Sequence, residues 1–420
     1  MKRTWSVVLV VLALALGHFG TAGAVAKTLM TFSMRGSSPE RFPVYDGWAQ
    51  RFCQRNPGVE MEVLKITGNY YDTLLVMTAA GTPVDVMWMG MDFYGMYDHL
   101  LPLDELWTKD AAIRDIHPGA LVSSRWQGQL LAIPFGINTH TVYYNKDLLS
   151  QAGLAFPRDG WTWDDAIQMG KALTRDLTGD GVPDQWGLQM YWPHMAWGYG
   201  RKLFADDGRS MIASDPLRLA GVSVWADMRS GRTGVHAPSG DSLVNALAGK
   251  VAMVHRGVFD VPKFRAQDQF DWDVVAMPYV EYKGERSRTT FTSPETWAIS
   301  ATSPNRELAK SFVRFIMQPE QALEFHALGA VIPTQTGIAS RTFLGITPPQ
   351  NLVAFVEAMD FAGEQYWANP AYSEYSRALV SGSTVTQMWR GDIPVEVAVP
   401  EIFRQANAIM KEFYEKQGKR

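Results

Sequence analysis

The chain has 420 residues, of which 46% are hydrophobic and 20% are charged, a composition that excludes disorder as its main state and predicts two or three domains. Its 39 Lys and Arg residues and 43 Asp and Glu residues give a formal net charge of −4, which argues against a nucleic-acid-binding protein. The single cysteine, Cys53, excludes an intramolecular disulfide and every Cys-rich zinc site, whereas the 15 tryptophans need an explanation.

Residues 1–26 have the pattern of a secretory signal peptide. Lys2 and Arg3 precede an apolar run, Val7 to Leu16, that is half of the roughly 20 residues a membrane-spanning helix requires. Ala24-Val25-Ala26 has the A-x-A form that signal peptidases cleave. No cysteine lies at the junction, so a lipoprotein anchor is not indicated, and no later run is long and apolar enough to span a membrane. We therefore expect a mature, exported protein that begins at Lys27.

The mature chain opens with alternating strand and helix patterns. In chain order they are a strand over 28–33, a helix over 43–55, a strand over 59–63, a helix over 70–80 and a strand over 84–89. Short breaks between these segments imply parallel strands joined by right-handed crossovers. We therefore predict an α/β fold, in which ligands bind beyond the carboxyl ends of the strands.

The later segments continue this pattern with longer helical stretches. We predict strands over 131–136, 141–145 and 271–277, a mainly helical region over 147–230, a crossing segment over 289–300, and helices over 305–317 and 401–414. The helix over 305–317 is the most amphipathic, because Leu308, Phe312, Phe315 and Ile316 form one apolar stripe. No internal repeat interrupts the order.

Eight short segments, taken in order with the C-terminal helix, resemble one family. They are Thr82–Val86, Leu100–Asp104, Ile133–Gly136, Tyr143–Leu148, Trp161–Asp165, Leu247–Met253, Asn305–Ala309 and Ile332–Thr334. The ordered set covers nearly the whole mature chain. It resembles the bacterial extracellular solute-binding proteins that serve sugar ABC importers, the maltose-binding-protein-like group.

This resemblance implies a two-lobed periplasmic-binding-protein fold of the type II kind, with hinge crossings near 136–141, 291–297 and the stretch after 341. The N-terminal lobe would comprise residues 27–137 and 295–345, and the C-terminal lobe residues 138–294 and 346–420. The protein would bind a mono- or oligosaccharide in the periplasm without catalysis or a cofactor. Hinge closure around the sugar would create the surface that the membrane permease recognises, and the only membrane contact would be transient.

Tryptophan suits such a site, because its flat face covers the C–H side of a pyranose ring and its indole N–H donates a hydrogen bond. Residues 191–200 carry four aromatic side chains without a helical or strand period, so we predict a cleft loop with Trp192 and Trp197 as the leading stacking residues. For Trp88, beside Asp92, core and cleft positions remain equally open. Three further tryptophans are predicted to be core residues: Trp48, Trp225 and Trp272.

Polar side chains must replace the water that sugar hydroxyls lose in a cleft. Glu295 at a predicted crossing is a candidate hydroxyl acceptor, Arg35 follows the first strand, and His255 is either a ligand contact or a core histidine. The resemblance adds Arg256 and Tyr372 by their position. The complete predicted ligand-binding set is Arg35, Trp88, Asp92, Asn138, Trp192, Trp197, His255, Arg256, Glu295, Trp297 and Tyr372.

One loop partly matches a calcium-binding pattern. Five residues occupy calcium-loop positions with a glycine at the sixth: Asp176, Thr178, Asp180, Val182 (by its carbonyl) and Asp184. The twelfth position, which should be a bidentate Glu, is Gly187. The alternative is an Asx-rich turn, so calcium is only a possible ion here.

Two other functions compete with sugar binding. An exported glycoside hydrolase or lyase would need two facing carboxylates, which many acids could supply, but the sequence has no G-x-S-x-G, H-E-x-x-H or P-loop motif. A binder of another solute, such as a polyamine or a phosphorylated polyol, would also use aromatic and charged side chains. A metal binder would need a His, Asp and Glu cluster that the sequence does not show.

Overall fold

The computed structural model describes residues 27–90, 94–122, 124–190, 193–200, 202–238, 240–339, 342–362, 364–367 and 369–417. The predicted signal peptide, residues 1–26, lies outside the described residues. Among the helices described, none combines the length and the apolar character that crossing a membrane requires.

The described part of the chain contains thirteen strands. They are β1 Thr28–Arg35, β2 Val59–Ile66, β3 Val86–Gly90, β4 Arg125–Trp126, β5 Gln129–Leu130, β6 Ala132–Asn145, β7 Trp186–Met190, β8 Val251–Gly257, β9 Trp272–Val275, β10 Val280–Tyr282, β11 Glu285–Ser287, β12 Thr292–Ile299 and β13 Ile332–Pro333.

The α-helices pack around these strands. They are α1 Phe42–Arg55, α2 Tyr70–Ala79, α3 Asp104–Lys109, α4 Ala111–Arg114, α5 Pro118–Val122, α6 Lys146–Gln151, α7 Trp163–Leu173, α8 Pro216–Arg229, α9 Ser242–Leu247, α10 Val261–Arg265, α11 Arg306–Ile316, α12 Pro319–His326, α13 Thr336–Ala339, α14 Val353–Glu357, α15 Tyr372–Val380, α16 Ser383–Arg390 and α17 Val395–Gln417. Short 3-10 turns occur at Pro39–Arg41, Tyr94–His99, Pro193–Gly198, Val258–Asp260, Phe343–Gly345 and Ala358–Phe361.

The predicted α/β fold is confirmed, and local chemistry explains where several helices begin. Thr162 and Asp165 form a reciprocal capping box at the start of α7. The apolar stripe of α11 lies in the core through Phe312, Phe315 and Ile316, as its period predicts. The region over 147–230 is less helical than predicted, because β7 crosses it as a buried strand.

Nine strands form one mixed sheet with the main order β2-β1-β3-β12-β6-β8-β7, while β9 and β13 also pair with β6. Strand β1 runs parallel to β2 and β3, as predicted for the opening domain. Strand β12 returns from much later in the chain and runs antiparallel to both β3 and β6. The crossing predicted over 289–300 is therefore the central strand that joins the early strands to β6.

Strand β6 connects two differently paired regions. Residues 132–139 pair with β12, and residues 140–145 pair with β8 and β9. The register with β12 shifts between Glu295 and Thr296, where Phe135 is the extra residue on β6. Such bulges bend a strand and re-aim its side chains. One 14-residue strand thus carries the chain from one region to the other.

The buried apolar residues form four clusters in two groups. Two clusters, which we call the N-terminal core, draw on residues 30–135 and 297–331. The other two, the C-terminal core, draw on residues 142–280 and 332–410. Ile332 and Phe343 lie within the predicted N-terminal lobe but pack into the C-terminal core. Ile137 on β6 contacts a cluster of each group.

Candidate functional site

A cavity of about 380 Å³ lies between the two cores, at the carboxyl ends of β1 and β3. That volume lies within the range of roughly 300–1,000 Å³ found for small-molecule sites. The wall contains residues from both cores and from the two strands that join them. Its lining residues are Met34, Arg35, Ser37, Ser38, Arg41, Tyr45, Trp88, Gly90, Asn138, His140, Phe259, Phe291, Ser293, Glu295, Tyr366, Trp367 and Tyr372.

Aromatic side chains form much of the wall on the C-terminal side. Phe291 and Trp367 have ring centroids 6.0 Å apart, and Tyr366 and Tyr372 have centroids 5.9 Å apart. The indole N–H of Trp367 is buried and has no hydrogen-bond partner among the described residues. The cavity therefore offers broad apolar faces on this side.

The opposite side of the cavity contains a buried polar group that we call the Glu295 cluster: Glu295, Arg41, Trp88 and Asn138. Arg41 Nη1 donates to Glu295 Oε2 at 2.6 Å, and Trp88 Nε1 donates to the same oxygen at 3.0 Å. Asn138 Nδ2 donates to Glu295 Oε1 at 2.8 Å. One carboxylate therefore connects β12 with β3, β6 and the turn before α1.

The charges within the Glu295 cluster compensate each other. Burial by itself would lower the pKa of the Arg41 guanidinium, but the adjacent Glu295 carboxylate offsets this and holds that pKa above its ordinary value. Burial raises the pKa of the neighbouring Tyr45 phenol, which stays neutral. Arg41 also donates to the carbonyl of Ala330 at 3.3 Å. The cluster is thus a neutral ion pair with strong hydrogen bonds on one side of the cavity.

Arg35 lies at the exposed side of the cavity. Its guanidinium carbon is 4.6 Å from the centroid of the Trp88 ring and 5.2 Å from that of Tyr71. Both distances fit cation–π contacts. The structure thus brings five members of the predicted ligand-binding set to the same cavity: Arg35, Trp88, Asn138, Glu295 and Tyr372.

One histidine of the cavity wall contacts a second histidine behind it. His140 lines the cavity, and its Nδ1 is 3.0 Å from Nε2 of His255, which is fully buried and does not line the cavity. Burial and then the Arg256 charge lower the pKa of His255 to about 3, and burial lowers that of His140 well below its ordinary value. Both rings are therefore neutral at neutral pH. His255 is thus the core histidine of the two alternatives that the sequence left open, and it contacts His140.

Arg256 is also a structural residue in this arrangement. Its Nε donates to Asp260 Oδ2 at 2.6 Å, and its Nη1 donates to Ser242 Oγ at 3.1 Å. Arg256 and Asp260 are both buried, and neither lines the cavity. The expected ligand contact of Arg256 is corrected, because the guanidinium is occupied by a buried carboxylate.

Two predicted tryptophan contacts lie in the cores. Trp197 is 0% exposed and packs on Phe403, with ring centroids 5.5 Å apart. Trp297 is 1% exposed and stacks on Phe135 at 4.2 Å. Neither ring lines the cavity, which corrects both expectations. Asp92 and Trp192 lie outside the described residues.

The possible calcium loop forms a turn that its own backbone satisfies. Asp176 accepts hydrogen bonds from the N–H groups of Gly179 and Gly181, Asp180 accepts from Val182, and Asp184 accepts from Leu177 and Thr178. The described residues contain no group of three or more His, Cys, Asp or Glu side chains arranged to hold a metal ion. The loop therefore has the hydrogen bonds of an Asx-rich turn, one of the two alternatives that the sequence left open.

Sequence reasoning missed several residues of the cavity. Arg41, Phe259, Phe291, Tyr366 and Trp367 all line it. Tyr366-Trp367 was detectable as an adjacent aromatic pair shortly before Tyr372, and Phe291 lies at the edge of the predicted crossing. No local signal distinguished Arg41 from other arginines, because its partner is 254 residues away.

The sequence matches a known family of bacterial proteins over most of its length. A family model described as bacterial extracellular solute-binding protein matches residues 36–323. The sn-glycerol-3-phosphate-binding periplasmic protein of Salmonella typhimurium is 25% identical over 346 residues, which cover 77% of this chain and 78% of that protein.

Solved structures share the fold at lower identity. An ABC substrate-binding protein from Listeria monocytogenes in complex with cycloalternan has a TM-score of 0.76 at 21% identity, covering 92% of this chain and 99% of that one. A solute-binding protein of an ABC transporter from Thermotoga lettingae, bound with α-D-tagatose, has a TM-score of 0.77 at 18% identity, covering 91% and 100%. The predicted two-lobed fold is thereby confirmed.

Proposed function

Because the chain belongs to the bacterial extracellular solute-binding protein family, we propose that it captures a mono- or oligosaccharide for an ABC importer, in the cavity between its two cores. The observation that carries the sugar assignment is the pairing of broad aromatic walls with a neutral polar cluster in one small cavity. Sugars present C–H faces and hydroxyl groups on the same ring, and this pairing meets both.

The unused polar atoms of the cavity support this proposal. Trp367 and Asn138 line the cavity, and each carries a buried polar atom, Nε1 and Oδ1 respectively, that has no partner among the described residues. A ligand hydroxyl can both donate and accept, so a polyhydroxylated molecule satisfies the two sites together. Leaving such groups unsatisfied in a dehydrated site costs about 1–3 kcal/mol each.

In the proposed function the lobes open and close around the ligand, and β6 and β12 are the strands that connect them. Two strands that join the cores near Asn138 and Ser293 provide the hinge about which the lobes close, and closure presents the surface for the permease. In this proposal the N-terminal lobe comprises residues 27–137 and 295–345, and the C-terminal lobe comprises residues 138–294 and 346–420. Ile332 and Phe343 belong to the first lobe by these boundaries, but their side chains pack in the C-terminal core. Residues 1–26 would direct export to the periplasm, and the cavity would carry out no catalysis.

A phosphorylated polyol is the second candidate ligand. The observation that favours it is Arg35, an exposed cation at the mouth of the cavity, together with the glycerol-phosphate-binding relative. An arginine is well suited to phosphate oxygens. The sugar is favoured because Arg41, the other arginine of the lining, is already neutralised by Glu295.

Ligand titration distinguishes these possibilities. Purified mature protein would be titrated with D-tagatose, maltotriose, mannobiose, sn-glycerol 3-phosphate and putrescine, with intrinsic tryptophan fluorescence and thermal unfolding as readouts. We expect a saturable fluorescence change and a rise in melting temperature with at least one sugar, because a ligand that binds only the folded state stabilises it. Saturation by sn-glycerol 3-phosphate or putrescine alone would overturn the sugar assignment, and turnover of a sugar would establish an enzyme.

A further inference from the structure

The carboxyl end of β1 brings an uncompensated positive charge to the cavity wall. Arg35 lines the cavity and is exposed, and among the described residues its guanidinium has no acidic partner. We propose that the ligand is an acidic sugar, a hexuronate, whose carboxylate is bound by Arg35 with the hydroxyl groups of Ser37 and Ser38. This inference rests on the proposed function and names the class of sugar that the same cavity takes.

The charged groups of the described cavity wall sum to one positive charge. Those groups are Arg35, Arg41 and Glu295. Arg41 lies 2.6 Å from Glu295 and both side chains are nearly inaccessible, so these two charges cancel. Burial lowers the pKa of His140 well below its ordinary value, so this ring adds no charge at neutral pH. Within the described wall Arg35 therefore remains uncompensated, and a ligand with a single negative charge completes the balance.

The contacts of Arg35 hold its side chain without using its hydrogen-bond donors. Its guanidinium carbon lies 4.6 Å from the ring centroid of Trp88, which also lines the cavity, and 5.2 Å from that of Tyr71. A cation–π contact engages the charge of a guanidinium and not its N–H groups. The five N–H donors of the fork match the two oxygens of a carboxylate, which an arginine binds through parallel hydrogen bonds. The aromatic rings thus place a cation whose donors are available to a ligand.

Two serines extend this donor set along the same loop. Ser37 and Ser38 line the cavity, and their hydroxyl groups have no hydrogen-bond partner among the described residues. The loop is anchored where it leaves β1, because the N–H group of Gly36 donates to the carbonyl of Ile66 at 2.7 Å. A Cβ atom at Gly36 would lie only 3.0 Å from that carbonyl oxygen, so glycine permits this close approach. Arg35, Ser37 and Ser38 therefore form one group of donors on an anchored segment.

A carboxylate fits this charge balance better than a phosphate ester. A phosphate monoester carries a charge of about −1.5 to −2 at pH 7, whereas a sugar carboxylate carries a single negative charge. One guanidinium compensates the carboxylate, but a phosphate would leave excess charge beside the aromatic rings of Phe291 and Trp367. The cavity of about 380 Å³ is near the lower end of the range for small-molecule sites, which suits one sugar ring.

Matched sugars test the class of ligand. Calorimetry of the mature wild-type protein would compare D-glucuronate, D-galacturonate and D-mannuronate with D-glucose, D-galactose and D-mannose, and with the 6-phosphates of these hexoses. We expect at least one hexuronate to bind about ten- to a hundredfold more tightly than its own neutral hexose, because hydrogen bonds to a charged group are the stronger ones. It should also bind more tightly than the corresponding 6-phosphate. Tighter binding of the neutral hexoses, or of the 6-phosphates, would overturn the inference.

Variants of Arg35 test the residue, with the ratio of hexuronate to hexose affinity as the readout. R35Q should remove the preference for the hexuronate, whereas R35K keeps the charge without the planar fork and should retain part of it. S37A/S38A should lower the ratio about fivefold, as expected for the loss of a hydrogen bond. A change in packing would weaken both sugars alike and leave the ratio unchanged. An unchanged ratio in R35Q would therefore overturn the role of Arg35, and an unchanged ratio in S37A/S38A that of the serines.

The matched control is R265Q, which makes the same change of charge away from the cavity. Arg265 is exposed at the end of α10 and does not line the cavity. R265Q should keep the affinity ratio of the wild type, and a loss of the ratio there would show that the preference follows the net charge of the protein and not Arg35. Binding of maltotriose, mannobiose or a neutral hexose, without binding of any hexuronate, would overturn this inference and leave the proposed function intact. Binding of no sugar, neutral or acidic, would refute the proposed function itself.

Discussion

Two aromatic segments of the C-terminal core have opposite environments. Residues 193–199 contribute Trp197, which is 0% exposed, packs under α16 and α17 through Trp389 and Phe403, and donates its indole N–H to the carbonyl of Leu379. Residues 366–372 contribute Trp367, which packs beside Phe291 and lines the cavity; its indole N–H is buried and has no partner among the described residues.

The difference shows that a segment rich in aromatic residues predicts buried rings. It does not predict whether a buried ring packs in the core or lines the cavity. Both segments are aperiodic and rich in aromatic residues. The C-terminal helices cover the first segment, while the second precedes α15 and forms part of the cavity wall. The surrounding elements, and not the local pattern, decide which tryptophan is structural and which is available to a ligand.

The largest effect is expected at the structural tryptophan. Replacement of Trp197 by Ala should lower the free energy of unfolding by about 3–5 kcal/mol, because it removes a fully buried ring from a packed core. Urea unfolding followed by circular dichroism would measure this change. The protein that remains folded should bind its ligand with unchanged affinity, and a large loss of affinity there would contradict the division between the two segments.

A smaller effect is expected at the cavity tryptophan. Trp367→Phe keeps a ring but removes the donor, so sugar binding should weaken about fivefold, equivalent to about 1 kcal/mol for one hydrogen bond. The matched control is Trp389→Phe: Trp389 is also buried with an unpaired indole N–H among the described residues, but it does not line the cavity. Equal weakening in the two variants, measured by calorimetry, would show that Trp367 acts only through packing.

A third prediction extends the comparison to a buried histidine of the N-terminal half. Burial and then the Arg41 charge lower the pKa of His326 to about 3, whereas an unfolded chain protonates histidine near pH 6.5. Between these values the unfolded state binds more protons, so the free energy of unfolding falls as the pH drops, by about 1.4 kcal/mol per pH unit for one histidine.

His326→Gln should remove about this much of the pH dependence between pH 6.5 and pH 5, measured by urea unfolding at several pH values. The control is His117→Gln, because His117 is exposed. An unchanged slope in His326→Gln would mean that this histidine is protonated in the folded protein.

Much of the fold followed from the sequence because it depends on local periodicity. The opening strands and helices, the amphipathic α11 and the core positions of Trp48, Trp225 and Trp272 were predicted and are confirmed. Strand β7 was missed, because a five-residue buried strand has the same composition as a short buried helical segment.

The candidate site was less predictable because its contacts join distant residues. Glu295 was placed at a crossing, but its hydrogen bonds to Arg41, Trp88 and Asn138 depend on strand order and on the register shift beside it. Arg256 was expected to contact the ligand, and His255 was left open between a ligand contact and a core position, yet each side chain contacts a buried partner. Such contacts form between residues that are distant in the sequence, so a local sequence pattern does not predict them.

The position of β12 in the sheet has a kinetic consequence. Strand β3 pairs with β1 on one side and with β12, which lies much later in the sequence, on the other. Trp88 on β3 and Glu295 on β12 are 207 residues apart in the sequence. Closing so long a loop is entropically costly and slows folding. Until β12 arrives, the edge of β3 presents unpaired N–H and C=O groups. We therefore expect the N-terminal half to complete its assembly late, because the strand that completes it follows most of the other half in the sequence.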